Sequence, residues 1–382
     1  MPTPDDLSSL KAKPFSDAVT KLEEQMTQSG RAFLLGAGCS KCAGLPLTAE
    51  LTSKALASTA LDASTKEILT AIQAHFAGAK DPNIEDYLSE LVDLLAIAER
   101  RTLRGATKKE IELAAKPYNS DLLREAAEQI KRAIAEVIDQ PVSIETHWKF
   151  VKAVHRPLRP GKSVGNQRVD YLVLNYDTLV EDALALEKVP FADGIDGGVT
   201  GWWNAETFSR DGLMARVLKL HGSINWSEFP DDPLPRRVPK AISGTAVSNR
   251  RIVIWPASTK YRETQRDPYA QLADQAREVL RPTDGSQRVV AVCGYRFGDS
   301  HINIELDRAL RESTGRLTIV AFSSDTNLDG TLKAWHEDAA VREQVLIYGR
   351  RGFWHGDIVE PSSADLPWWT FENITRLLGG ER

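Results

Sequence analysis

Four apolar runs of strand type, far apart in a chain of 382 residues, each end in a short segment rich in glycine or polar residues. Ala32-Phe33-Leu34-Leu35 runs into Gly36-Ala37-Gly38-Cys39-Ser40, and Tyr171-Leu172-Val173-Leu174 into Asn175-Tyr176-Asp177. Val217-Leu218-Lys219-Leu220 leads to His221-Gly222-Ser223, and Val289-Val290-Ala291-Val292-Cys293 to Gly294-Tyr295-Arg296-Phe297. Such runs suit strands of a parallel sheet buried on both faces, and a parallel sheet brings its strand ends to one edge, where open α/β folds bind ligands. One such ending carries little information; four point to a shared site.

Composition narrows the class. With 42% hydrophobic and 26% charged residues, the chain can bury one large core or two smaller ones. No apolar stretch approaches the roughly 18 residues of a membrane span, and the N-terminal segment, with Asp5, Asp6 and Lys11, lacks a secretion signal's apolar stretch. The expected location is cytoplasmic. Cys39, Cys42 and Cys293 are too few for a disulfide framework, and no second cysteine pair completes a zinc ribbon. Cys39 and Cys42 have redox-motif spacing but sit inside the glycine turn, where they read as small residues packing behind a ligand. A net charge of −5 argues against strong intrinsic nucleic-acid binding. The basic clusters Arg100, Arg101, Arg104, Lys108, Lys109 and Arg236, Arg237, Lys240, Arg250, Arg251 read as solvated surface.

Periodicity sets the organisation. Residues 16–28 have helical spacing, and after Leu45-Pro46-Leu47 nearly every segment to about Asp139 does too. One helix runs from Ile84 to Arg101, and another spans residues 121–138, stopped by Pro141. So long a helical run exceeds what one βαβ crossover needs. The expected division is therefore a Rossmann-like core at 1–46 and 150–350, an inserted helical module at 47–149, and a docking tail at 351–382. From Asp170 strands and helices alternate again. Residues 181–186 and 269–280 read as helices, 194–201 as a glycine loop, and Trp202, Trp203 and Phe208 as cover for the core or pocket. Pro230, Pro233, Pro235 and Pro239 mark an irregular excursion, Ile252-Val253-Ile254-Trp255-Pro256 a strand, and residues 317–322 the last strand of the pattern. Trp354, Trp368 and Trp369 make the tail apolar enough to dock.

Each motif admits a chemical and an architectural reading. A glycine turn between strand and helix lets backbone N–H groups of Gly36, Gly38 and Ser40 approach a phosphate, yet such turns also occur wherever a strand bends into a helix. Asn175 and Asp177 can reach into the cleft, or Asp177 can cap the following helix while Asn175 bonds the loop backbone. His221 can act as a base, or be held by a backbone carbonyl. An ordered amide and a titratable base at neighbouring strand ends could position and activate a nucleophile. His301 reads as structural or ligand-contacting, with Asp299 or Ser300 capping its helix.

Taken in order, Gly36-Ala37-Gly38-Cys39-Ser40 with Gly44-Leu45-Pro46, Asn175-Tyr176-Asp177, Lys219-Leu220-His221-Gly222-Ser223 with Trp226, and Gly294-Tyr295-Arg296-Phe297 with Asp299, His301 and Asn303 resemble the motif series of sirtuin-like domains over roughly residues 30–325. Asn83-Ile84-Glu85-Asp86 resembles the start of the helical insert in that family's bacterial branch. The resemblance implies a Rossmann-like α/β domain that takes NAD+ as substrate and breaks the bond between nicotinamide and ribose. Sirtuin deacylases usually carry two Cys-x-x-Cys pairs for a structural zinc after the histidine motif, and Asp-Phe-Arg after Gly-x-Pro. Here residues 226–250 hold no cysteine and Leu47-Thr48-Ala49 follows Pro46.

Those departures match the bacterial sirtuin-like effectors of anti-phage defence, such as those of Thoeris, the short Argonaute systems and the pairing with a HerA-type ATPase. The resemblance implies an NAD+ hydrolase without structural zinc, in which Asn175 orients water or the ribose hydroxyls, His221 accepts a proton and Asp177 holds the nicotinamide ribose or carboxamide. Gly36, Ala37, Gly38, Ser40, Pro46, Gly294, Tyr295, Phe297, Asp299 and His301 would line the NAD+ site, and Ser323 or Ser324 would meet the adenosine ribose. It further implies a homo-oligomer held in check by a HerA-type hexameric ATPase, an expectation that also uses the short stretch after the last strand. A protein deacylase and a non-enzymatic NAD+ or ADP-ribose-binding module are the alternatives.

Overall fold

The computed structural model describes residues 6–27, 30–78, 82–155, 168–229, 232–239, 242, 251–254, 267–282 and 285–381. Seven parallel strands form its main sheet in the order Val345–Gly349, Leu317–Ser323, Arg288–Cys293, Gly30–Leu35, Val169–Val173, Ala215–Lys219 and Phe191–Ala192. Two antiparallel strands, Gly352–His355 and Ile358–Pro361, extend the Val345 edge. Strand order runs outward in one direction from Gly30–Leu35 through Val169–Val173, and in the other from Arg288–Cys293. The switch point of this Rossmann-like α/β fold therefore lies between Gly30–Leu35 and Arg288–Cys293, where such folds open a crevice at the strand ends. Leu35 is in register with both Cys293 and Val173, which brings Gly36, Leu174 and Gly294 to one level.

Alternation along the strands divides the core. Phe33, Leu35, Tyr171 and Val173 face helices Phe15–Met26, Glu145–His155, Leu179–Leu186 and Phe371–Leu378. Ala32, Leu34, Leu172 and Val292 face Tyr269–Leu280, Ser300–Glu312 and Gly330–Glu337. In the last thirty or so residues, Trp368 is fully buried and its Nε1 donates to the Gly349 carbonyl at 2.8 Å.

Helices Thr48–Leu56, Ala63–His75, Ile84–Leu103 and Ser120–Ile138 share a third core that includes Tyr176, Leu179 and Ile254. The stretch expected to be helical in nearly every segment also contains a hairpin, Ile111–Leu113 with Lys116–Tyr118. Its two-residue turn is Ala114-Ala115, at φ +48° and +63°. Such turns normally advertise themselves with Asn-Gly or Gly, so these alanines left no signal.

A second, antiparallel sheet orders Arg251–Ile254, Gly222–Phe229, Asp232–Arg237, Gly201–Trp203 and Ile195–Gly197. Two of its strands precede His221 and three follow it, and the sheet corrects two expectations. Residues 194–201 are part of a hairpin rather than a loop, with Ile195 paired to Trp203. The proline-rich excursion contains a strand whose pairing is irregular between Asp232 and Arg236, across Pro233 and Pro235. The strand read at residues 252–256 is present over Arg251–Ile254 and belongs to this sheet. Trp203 and Phe208 are buried while Trp202 is exposed. Trp255, Pro256, Pro230, Lys240, Arg250, Asp5 and Gln28 lie outside the described residues.

Candidate active site

The glycine turn and the segment after Cys293 interlock across the switch point. Gly36 N–H donates to the Cys293 carbonyl and Gly38 N–H to the Gly294 carbonyl, each at 2.9 Å. A Cβ on Gly36 would lie 2.6 Å from the Gly294 oxygen, and one on Gly294, which sits at φ +63°, would lie 2.4 Å from the Cys39 nitrogen. Cys39 and Ser40 N–H groups close the turn on Gly36 and Ala37. The amides of Gly36 and Gly38 thus bond across to the Cys293-Gly294 segment, and that of Ser40 bonds within its own turn. Among the described residues, the turn amide with no protein acceptor is that of Ala37.

The thiols lie behind this turn. Cys39 donates to the Cys293 carbonyl and Cys42 to the Cys39 carbonyl, both at 3.2 Å. Burial pushes the Cys42 thiol up to about 12 and raises Cys39 and Cys293 as well. They stay protonated packing groups rather than a redox pair.

Asn175 and Asp177 brace the turn from the neighbouring strand end. Asn175 Nδ2 donates to the Gly36 carbonyl (3.0 Å) and to Ser40 Oγ (2.7 Å), and Ser40 Oγ donates to Asp177 Oδ2 (2.6 Å). Asp177 Oδ1 accepts from Leu179 N–H at the start of helix Leu179–Leu186 (3.2 Å). Each carboxylate oxygen of the buried Asp177 therefore accepts a hydrogen bond from the protein. Underneath, the fully buried Lys219 Nζ donates to the Asp177 backbone carbonyl and stands 3.5 Å from Glu181 Oε1. Burial pushes the Glu181 carboxyl up to about 7 against the pull of Lys219.

His221 sits between two carboxylates. Its Nε2 is 3.1 Å from Asp299 Oδ2 and its Nδ1 3.9 Å from Glu85 Oε1. Asp299 caps helix Ser300–Glu312, accepting from His301 N–H (2.9 Å) and Ile302 N–H (3.4 Å) through Oδ1. Tyr176 donates its hydroxyl to Glu85 Oε1 at 3.0 Å, and burial raises its phenol far above the usual range. Glu85 entered the sequence argument only within the resemblance. Tyr176, Lys219 and Glu181 were given no role there, since nothing local marks such long-range partners.

The remaining residues line up along the same edge with different degrees of engagement. Tyr295 Oη bonds the Asp299 backbone and Asn303, and Phe297, at φ +55°, has its carbonyl held by Asn303 Nδ2 at 2.7 Å. Phe297 also packs edge-on against Trp335. His301 is half-buried in the first helical turn, and Pro46 is buried just before helix Thr48–Leu56. Ser323 Oγ donates to Asp325 Oδ2 (3.0 Å) at the end of its strand, two strands away from Gly30–Leu35.

Among the described residues, no group of three or more His, Cys, Asp or Glu side chains could hold a metal ion, and no helix is long and apolar enough to cross a membrane. No curated protein matches the chain. The family model of the SIR2-like domain matches residues 170–342, a stretch that holds Asn175, His221 and Asp299 and ends just before the Val345–Gly349 strand. Residues 170–342 are thus similar to a SIR2-like domain.

Proposed function

We propose that this chain hydrolyses NAD+ to ADP-ribose and nicotinamide. The match to the SIR2-like domain supports an NAD-related function, and the observation that favours hydrolysis is that two neighbouring parallel strands end in an anchored Asn175 and in a His221 ring set between Asp299 and Glu85. Asn175 spends its amide N–H groups on Gly36 and Ser40, so its Oδ1 is the atom to accept a hydrogen bond from water. The glycosidic bond breaks with its electron pair leaving on nicotinamide, whose positive charge is thereby neutralised, so no general acid is needed. The ribose left behind has oxocarbenium character. Water oxygen bonds to its anomeric carbon and gives up a proton to His221. Asp177 acts through Ser40 and Asn175, the Ala37 amide and Ser40 side of the turn faces the pyrophosphate, and His301 and Ser323 stand further along the cofactor path.

The family resemblance supports a role as an anti-phage effector that depletes NAD+, in a homo-oligomer restrained by a HerA-type ATPase. Incubating the protein, alone and with its genomic neighbour, with NAD+ and an acetyl-lysine peptide separates the readings by mass spectrometry. Hydrolysis gives ADP-ribose and free nicotinamide that vanish in Asn175→Ala and His221→Ala. O-acetyl-ADP-ribose would mean deacylation, and saturable NAD+ binding with no nicotinamide release would mean a regulatory module.

A further inference from the structure

Glu85 reaches the site from outside the parallel-sheet core. It lies in the first turn of helix Ile84–Leu103, whose start is fixed by a capping box: Asn83 Oδ1 accepts from Glu85 N–H (2.7 Å) and Asp86 N–H (3.3 Å), while Asp86 Oδ2 accepts from Asn83 N–H (2.8 Å). Ile84 is fully buried beside it. A helix N-terminus favours a carboxylate electrostatically, and the Tyr176 hydroxyl holds Glu85 Oε1 on the side facing His221. The Glu85 side chain is 27% exposed against 4% for His221, so it is the more solvent-accessible of the two.

Asp299 decides which ring nitrogen works. Its Oδ1 is committed to helix amides and its Oδ2 faces Nε2. The tautomer that fits carries the proton on Nε2 and turns the Nδ1 lone pair toward Glu85. The Tyr176 ring lies 6.4 Å from the imidazole and Tyr295 bonds the Asp299 backbone; burial raises both phenols.

We propose that Glu85 is a positioning residue of the reaction, which makes the helical module a contributor to the active site; this rests on the hydrolase reading. Water loses its proton to His221 Nδ1 as its oxygen bonds to the anomeric carbon. The imidazolium so formed lies between Asp299 and Glu85, and the proton then passes along the Glu85 side to solvent. A module displaced from the Asn175-Tyr176-Asp177 segment takes Glu85 with it and leaves the ring without that carboxylate.

The test compares full-length wild type with Glu85→Gln, Glu85→Asp, Tyr176→Phe and, as a control on the exposed face of helix Thr48–Leu56, Glu50→Gln. Nicotinamide release and nitrogen-15 NMR of the histidine rings are both measured. Glu85→Gln should lower kcat by about 10- to 100-fold, the range found when an orienting partner is removed, with KM for NAD+ nearly unchanged. Glu85→Asp should recover part of the loss, and Tyr176→Phe should not add fully to Glu85→Gln. By NMR, His221 should show the Nε2–H tautomer, and its Nδ1 resonance should move in Glu85→Gln because the carboxylate beside that nitrogen is gone. Glu50→Gln should match wild type throughout. If wild type releases nicotinamide while Glu85→Gln keeps its kcat and its His221 Nδ1 resonance, the role of Glu85 is overturned and the hydrolase reading stands. If wild type never releases nicotinamide, the hydrolase reading fails, and an unmoved His221 Nδ1 resonance would still overturn Glu85 by itself.

Discussion

Gly38 and Gly294 meet backbone to backbone: the Gly38 N–H donates to the Gly294 carbonyl at 2.9 Å, and a Cβ on Gly38 would lie 2.7 Å from the Gly294 Cα. The contact fixes the distance between two strand-end segments on which the proposed site is built. Gly294→Ala adds a clash with the Cys39 amide to a left-handed backbone and should destabilise by about 2–4 kcal/mol in urea denaturation. Gly44→Ala is the comparison, since Gly44 has φ +96° but nothing within 4 Å of its Cβ position. It should lose about 1–2 kcal/mol. Equal losses at the two sites would refute the interlock.

Asn175 is a donor to two oxygens, the Gly36 carbonyl and Ser40 Oγ. Asn175→Asp keeps the shape but turns a charged acceptor toward the Gly36 carbonyl. Nicotinamide release should fall by at least about 100-fold, the lower end of what positioned polar groups contribute. His221→Ala should fall similarly, and because the two act on one water, the double variant should lose little more than the worse single one. Losses that multiply would argue that the two residues serve separate steps.

Asp170 lies in the same strand as the approach to Asn175 but serves stability. It is buried and accepts from Arg216 Nε (2.7 Å) and Arg288 Nη1 (3.2 Å). Arg216 is itself buried, so Asp170→Ala leaves a guanidinium without its counterion, at a cost of about 3–5 kcal/mol. Chemical denaturation should show that loss. NAD+ affinity of the folded protein should stay at the wild-type level, and a loss under about 1 kcal/mol would contradict the buried-pair argument.

The parallel sheet was legible because strands buried on both faces read as unbroken Val, Leu and Ala runs, and Asn175 and His221 were legible because they stand at the ends of such runs. Partners that meet across the chain left no comparable trace. Tyr176 and Glu85 are 91 residues apart, and His221 and Asp299 are 78 apart. The glycine turn was visible as a turn, but only the close approach of Gly294 reveals that its amides serve packing. Local chemistry also misled in places: alanines make the tight turn of one hairpin, and a glycine-rich stretch read as loop pairs Ile195 with Trp203. In both, strand pairing and packing overrode residue preference.

The buried histidines set an acid limit on the fold. Burial pushes His147 down to about 4, against the attraction of Asp177, and burial with the Arg31 charge brings His155 to about 4 as well. An unfolded histidine titrates near 6.5. Between about pH 6.5 and 4 the unfolded chain therefore binds protons that the folded chain does not, so stability present at neutral pH is lost as pH falls through that window. Glu181 acts in the opposite sense. Its folded value of about 7 lies above the unfolded 4.5, so it adds stability as pH falls from 7 toward 4.5. Two histidines outweigh one carboxyl, and net stability should fall toward pH 4. His147 packs 5.0 Å from the Phe371 ring, and its Nδ1 has no hydrogen-bond partner among the described residues. His147→Phe should thus be tolerated, and it should flatten the acid side of the stability curve by up to about 1.4 kcal/mol per pH unit. Urea midpoints measured from pH 7 to 4.5 check this, and parallel curves for the two proteins would show that His147 takes up its proton equally in both states.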